Sequence, residues 1–257
     1  MTITRSNDGP QAGAFSVVRN GVRAVVTIPP FLVRHAWRNR HVERSSSDVD
    51  ELSESPPPTS SHPRGQRRED GVGPIVMRTY EIDIFDPRLD ATQLIELFRA
   101  DPNRINSNLV AGFVRDDQPA RALQRGDDLV VELPGPWNGP VHVDRANADQ
   151  VILATLDGHM EAGHIRFDTH QISGNAEVAS GYSFRIRSWA RAGDVAFAAV
   201  HLGVPIGREL QTAMWTAMCD LAVEAAGGRR SGKIRVSTEM LRNSSISPAQ
   251  LQPRVAK

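Results

Sequence analysis

The chain has 257 residues, 40% of them hydrophobic, with 30 basic and 30 acidic side chains and a net charge of +0. That length suits one domain, or one domain with a long appendage, and the balanced charge removes any global electrostatic case for nucleic acid or an anionic membrane. A single cysteine, Cys219, excludes an internal disulfide framework and a thiolate zinc cluster.

No apolar run reaches the roughly 18 residues of a spanning helix. The start, Met1-Thr2-Ile3-Thr4-Arg5-Ser6-Asn7-Asp8, lacks the apolar core of a secretory signal. The expected setting is cytoplasmic, with no membrane span. Lys233 and Lys257 are the only lysines among basic residues that are otherwise arginines, which fits a GC-rich bacterial gene.

Residues 1–76 differ from the remainder. Ser45-Ser46-Ser47, Pro56-Pro57-Pro58 and Arg64-Gly65-Gln66-Arg67-Arg68 lie in a stretch poor in aromatic and branched apolar side chains. Such a stretch buries too little surface to offset its ordering entropy. Residues 1–76 are therefore expected to be a disordered or weakly structured extension that adds nothing to the core. A mis-assigned gene start before Met77 would produce the same composition. The basic run Arg34 to Arg44 reads as a solvated charge cluster rather than a nucleic-acid arm. Residues 77–240 form the expected domain, and 241–257, with Pro248 and Pro253, a tail.

Within the domain, Thr79 to Ile84 alternates, with Tyr80, Ile82 and Ile84 on one face, which predicts a strand. Asp90-Ala91-Thr92-Gln93 is a capping box opening a short helix through Leu94, Ile95, Leu97 and Phe98. Asp101-Pro102 starts a further helical turn. Strands are predicted over 109–115, 128–133, 140–145, 150–156, 163–169 and 178–189, parted by turn formers such as Gly126-Asp127, Gly158 and Gly174-Asn175. The period then changes. Ile206, Leu210, Met214, Met218, Leu221 and Ala225 recur every three or four residues, a long helix over 205–226 opened by Pro205 and closed by Gly227-Gly228. Residues 194–202 are read as a possible shorter helix before it.

This order, a strand, short helices, a run of antiparallel strands and one long terminal helix, is an α+β helix-grip layout, in which a curved sheet wraps the helix. Its inward faces are expected to carry Tyr80, Ile82 and Ile84; Leu129, Val131 and Leu133; Val141 and Val143; Ile165 and Phe167; and Tyr182, Phe184, Ile186 and Ser188. His142, Asp144, Arg166, Asp168, Arg185 and Arg187 face outward. A curved sheet can leave a cavity against the helix, and its expected lining is Phe167, Tyr182, Phe184, Ile186, Arg208, Met214 and Met218.

The densest constellation is Ala154-Thr155-Leu156-Asp157-Gly158-His159-Met160-Glu161-Ala162-Gly163-His164-Ile165-Arg166-Phe167. Thr155-Leu156, Gly158-His159, Glu161, Gly163 and Phe167 resemble the signature of an uncharacterised bacterial and plant family of unknown function, T-L-P-G-H-P-E-x-G-E-E-x-F. Trp137, Pro140 and Val143 upstream, and Phe184, Ile186, Ser188, Arg208 and Gln211 downstream, are similar to further elements of it. Met160 stands where that family has proline, and His164 where it has glutamate. The resemblance covers residues 77–226 and implies the START and birch-pollen-allergen-like (SRPBCC) helix-grip fold. It carries over no catalytic residues.

His159-x-Glu161-x-x-His164 offers metal-ligand types, and His159 with Glu161 is a candidate acid–base pair. The simpler reading is a hairpin turn in which the glycines supply backbone freedom, Glu161 caps and His159 bonds neighbouring backbone. No metal site is expected. No nucleophile elbow, phosphate loop or dinucleotide fingerprint is present, and no cofactor is expected. Cys219 is expected to be a core or cavity-wall thiol. Arg208 and Gln211, three residues apart on the helix, are candidates for a carboxylate at the cavity mouth.

The helix-grip resemblance implies a protein that binds an apolar or amphipathic small molecule between sheet and helix. The alternatives are an enzyme of the cyclase, aromatase or hydrolase type, using His159, Glu161, Tyr182 or Arg208, and a non-catalytic interaction module with a filled core. Fold analogy alone does not choose among them.

Overall fold

The computed structural model describes residues 41–106, 112–115, 121–132, 138–172, 181–194 and 205–242, with the side chains of 138, 205–208 and 210 outside that description. The strands are β1 (Val42–Val49), β2 (Val72–Phe85), β3 (Gly112–Val114), β4 (Asp128–Glu132), β5 (Asn138–Ala146), β6 (Gln150–Thr155), β7 (Glu161–Gln171), β8 (Gly181–Ala192) and β9 (Arg229–Leu241). The helices are α1 (Ala91–Ala100) and α2 (Pro205–Ala226), with a short 3-10 turn over Pro102–Ile105.

Nine strands form one sheet in the order β1-β9-β2-β8-β7-β6-β5-β4-β3. All neighbours from β9 to β3 run antiparallel, and β1 lies parallel to β9. The long helix α2 packs on one face against β2, β8 and β9, and meets α1. This is the helix-grip arrangement expected from the element order.

The period-two pattern sorts the strands as read. Tyr80, Ile82, Ile84, Val141, Val143, Phe167, Tyr182, Phe184 and Ile186 are buried in one apolar cluster with Met214, Trp215, Met218 and Cys219 of α2. Each such aliphatic or aromatic side chain contributes about 1.5–3 kcal/mol by leaving water. At the start of α1 the capping box forms: Asp90 Oδ1 accepts the Gln93 N–H at 2.8 Å, and Gln93 Oε1 accepts the Asp90 N–H at 2.9 Å. Leu133 and Trp137, and the helix read over 194–202 apart from Asp194, lie outside the described residues.

The expectation that residues up to 76 stay apart from the core is corrected for 42–76; residues 1–40 lie outside the description. β2 begins at Val72, and β1 pairs with β9 along its whole length, from Val42 with Ile234 to Val49 with Leu241. Serines in β1 need bury nothing, because an edge strand is held by backbone hydrogen bonds and stays soluble by being polar. Arg44 adds a bidentate contact to Glu209 of α2, at 2.7 and 2.9 Å.

Residues 50–71 lie across the outer face of the sheet. Trp189, fully buried on that face, donates its indole N–H to the Glu54 carbonyl at 3.0 Å. The Glu54 carboxylate pairs with Arg166 and Arg187. Ser60 Oγ donates to Asp144 at 2.7 Å, and Arg68 donates to the Pro57 carbonyl at 3.1 Å. The outward polar residues are thus the partners that an apolar-poor segment uses in place of a core of its own. β9 was also unexpected: only Ile234 and Val236 are buried along it.

Candidate functional site

At one end of the inner face, β2, β7, β8 and β9 bring Val76, Arg78, Glu161, Ser188, Ala190, Ala192 and Met240 around a cleft of about 60 Å³. That is room for roughly two waters, well short of the several hundred Å³ of a ligand pocket. Arg78 occupies an inward position two residues before Tyr80 and is 9% exposed. A buried guanidinium requires acceptors. One is supplied from α2, where Gln211 Oε1 accepts from Arg78 Nη1. The Gln211 amide nitrogen in turn donates to the Glu161 carboxylate, at 3.1 and 3.3 Å. The Gln211 carboxamide therefore sits between a cation and an anion with both ends used.

The polar path continues inward. The fully buried Tyr80 hydroxyl lies near Arg78 and Thr212 yet makes no well-formed hydrogen bond. Burial raises its pKa, and the Arg78 charge acts in the opposite direction. Trp215 Nε1, also buried, has no hydrogen-bond partner. Buried polar atoms are normally paired, so two orphans inside one apolar cluster mark where a polar group would gain most.

The signature segment builds the adjoining corner. Thr155 Oγ1 accepts the Gly163 N–H at 2.8 Å and donates to the Gln66 carbonyl at 3.0 Å. Gly158 has φ +92°, which favours glycine. The His159 N–H donates to the Leu156 carbonyl at 3.0 Å, closing the turn. His159 Nδ1 accepts the Glu161 N–H at 2.9 Å, and burial pushes the His159 pKa down. Gly163 is required by proximity, not by positive φ: a Cβ there would lie 2.0 Å from the Trp189 carbonyl oxygen.

The candidate chemistry of the turn does not assemble. The His159 ring bonds backbone, while the Glu161 side chain points to Gln211, so they form no side-chain acid–base hydrogen bond. His164 projects from the opposite sheet face and bonds Arg68 and Asp144, so His159, Glu161 and His164 do not converge on a metal.

Of the expected cavity lining, Phe167, Phe184, Ile186 and Met218 have 0% exposure, with Tyr182 at 2% and Met214 at 6%. Phe167 packs on Phe98 and Trp215, with ring centroids 4.6 and 5.8 Å apart. The Tyr182 hydroxyl donates to the Leu89 carbonyl at 2.9 Å. None of the six lines the cleft. Arg208 lies in the first turn of α2, and its side chain lies outside the described residues. Gln211 bonds two residues of the cleft, Arg78 and Glu161. The sequence reading missed Arg78, although its signal was present: an arginine on the inward parity of β2, in step with Tyr80, Ile82 and Ile84. Among described helices, none is long and apolar enough to cross a membrane.

No family model matches the chain, and no curated protein matches it. Solved structures do. A hypothetical protein of Helicobacter pylori aligns at 10% identity and a TM-score of 0.40, over 56% of this chain and 87% of that one. The di-domain ARO/CYC StfQ from the steffimycin biosynthetic pathway aligns at 13% identity and a TM-score of 0.41, over 62% of this chain and 52% of that one. Norcoclaurine synthase from Thalictrum flavum, in complex with dopamine and hydroxybenzaldehyde, aligns at 10% identity and a TM-score of 0.38, over 61% of this chain and 91% of that one. The helix-grip description rests on the strand order and helix placement above.

Proposed function

We propose that this chain is a small-molecule-binding helix-grip protein of the START and birch-pollen-allergen-like kind. Its Thr155-Leu156, Gly158-His159, Glu161 and Gly163 resemble the T-L-x-G-H-x-E-x-G signature of an uncharacterised family. Its ligand is amphipathic, with a polar group at the mouth formed by Arg78, Glu161, Ser188 and Gln211. The carrying observation is the Gln211 carboxamide, which accepts from Arg78 and donates to Glu161. A ligand carboxamide, hydroxyl or protonated acid offers the same acceptor and donor and replaces Gln211 there. Its apolar part lies against Met214, with Phe167, Tyr182, Phe184, Ile186 and Met218 as the floor. Methionines suit a wall that repacks as the ligand enters.

A second reading has one specific observation in its favour. The zero exposure of Phe167, Phe184, Ile186 and Met218 fits an interaction module with a filled core. A cyclase, aromatase or hydrolase reading has no comparable support, since His159 is held to backbone.

Titration with an environment-sensitive apolar dye bearing an acidic group separates these readings. The parent binds, Arg78→Met loses affinity at least about tenfold, the scale of a buried charged hydrogen bond, and Gln211→Ala holds or gains affinity because the internal competitor is gone. Absence of dye binding by the parent, or equal binding by Arg78→Met, contradicts the ligand-binding reading.

A further inference from the structure

A second cluster lies on the outer face, far from the chemistry of the mouth, where β4 and β5 meet the covering segment. Asp128 of β4 and His142 of β5 are cross-strand partners in register, so two rigid neighbouring strands fix their spacing. His142 Nδ1 stands 2.8 Å from Asp128 Oδ1, and His62 Nε2, from the covering segment, stands 3.6 Å from the same oxygen. The two imidazole centroids are 4.3 Å apart. One donor atom from each of the three residues lies within 4.8 Å of the others. The second carboxylate oxygen, Asp128 Oδ2, takes Arg64 at 2.6 Å and so leaves Oδ1 to the histidines.

We propose that His62, Asp128 and His142 form a binding site for a divalent transition-metal ion of the zinc class. Two imidazole nitrogens and one carboxylate oxygen are a donor set that zinc accepts, and three protein ligands leave a position for water. The side chains of His62 and His142 are 18% and 13% exposed and that of Asp128 40%, so the cluster is held by its surroundings yet open on one side. Behind His142 stands a carboxylate. Its Nε2 lies 3.9 Å from Asp144 Oδ1, and Asp144 is itself fixed by Ser60 at 2.7 Å and His164 at 3.2 Å. A carboxylate behind a ligating histidine sets the ring's tautomer and orientation.

Two contacts oppose the metal and set its strength. The Arg64 backbone N–H donates to His62 Nδ1 at 3.2 Å, a long contact. Coordination through Nε2 places the ring proton on Nδ1, and that contact gives way. The Arg64 guanidinium also competes for the Asp128 charge. The site is therefore modest in affinity, and removing the Arg64 charge strengthens it. A bound ion would join His62 of the covering segment to β4 and β5, and so tie residues 50–71 to the sheet. This inference is independent of the ligand proposed at the mouth.

The full chain, stripped with a chelator and dialysed against zinc, tests the site by metal content. Cobalt absorption supplies a spectroscopic readout of the ligand set. The parent is expected to take up one zinc per chain and to melt higher with zinc present, because a ligand of the folded state stabilises it. His62→Ala and His142→Ala abolish uptake, His170→Ala, altering an exposed histidine of β7 outside the cluster, leaves it intact, and Arg64→Gln binds several-fold tighter. If His142→Ala does not fold, His62→Ala carries the test from the covering segment. Absence of stoichiometric zinc in the parent, or uptake retained in the folded histidine variants, overturns the proposal.

Discussion

Arg68 donates from Nη1 to Nδ1 of His164 at 2.8 Å, and this contact fixes the tautomer of a buried histidine. A guanidinium only donates. Nδ1 therefore accepts, Nε2 carries the proton, and Nε2 lies 3.2 Å from Asp144 Oδ2. Arg68 comes from the covering segment and His164 from β7, so the pair ties residues judged structureless from composition to the centre of the sheet. Arg68→Ala should cost about 1.5–3 kcal/mol, the range for a buried hydrogen bond to a charged group. The corresponding fall in melting midpoint is about 2–4 °C per kcal/mol at this size.

A chain beginning at Met77 loses β1, the first residues of β2 and the cover over Trp189, Arg187 and His164. It should be insoluble, or melt far below the full chain, with circular dichroism as the readout. Equal melting of the two chains would show that the segment is dispensable.

How much was legible follows from which side chains carry each element. Tyr80, Ile82 and Ile84, or Tyr182, Phe184 and Ile186, alternate because one face of their strand is buried, and that period is visible in sequence. β1 is not visible: Glu43 to Asp48 are exposed, and backbone pairing to β9 specifies the strand. Residues 50–71 were misjudged because composition counts apolar area only. Glu54, Ser60 and Arg68 are satisfied by Arg166, Asp144 and His164, which lie about a hundred residues further on in the chain. At the site, Glu161 and Gln211 were legible as types, but the link from Arg78 through Gln211 to Glu161 depends on how α2 crosses β2 and β7.

Gly163 and Gly158 should respond differently to alanine. At Gly163 the new Cβ meets the Trp189 carbonyl oxygen at 2.0 Å, so strands β7 and β8 must separate. At Gly158 nothing lies within 4 Å, and only the φ of +92° opposes alanine. Gly158→Ala should cost about 1–2 kcal/mol, the left-handed penalty. Gly163→Ala should cost more, and Gly163→Val should fail to fold. Chemical denaturation of the two alanine variants gives the order directly.

Stability should fall just below pH 6.5 through His159. Its folded pKa is lowered from 6.5 by burial. The unfolded chain therefore binds that proton first, and stability drops as pH falls from 6.5 toward the folded value. Asp83, held below its ordinary 3.8 by Arg235, loses its contribution only in more acid solution. His159→Gln should flatten the first part of the stability curve and leave the acid part. An unchanged curve would show that His159 is not the group responsible.

Cys219 has no exposure, and burial raises its thiol pKa strongly. A neutral, enclosed thiol is a poor nucleophile. The native chain should resist a thiol-alkylating reagent at pH 8 and incorporate one equivalent in denaturant, read by mass spectrometry. Rapid labelling of the native chain would show that α2 opens away from the sheet.

Met218→Trp should cost about 1–3 kcal/mol by overpacking, because Met218 has 0% exposure. Met214, at 6%, should accept added bulk more readily and in doing so weaken dye binding. Reversal of that order would place the ligand deeper in the interior than the mouth.

Native mass spectrometry of the purified chain, after incubation with a host lipid and metabolite extract, tests the central claim most directly. The account predicts a retained small molecule on the parent, retained or enriched on Gln211→Ala and absent from Arg78→Met. A bare mass for the parent, together with no dye binding, would contradict it and leave a filled-core interaction module in its place.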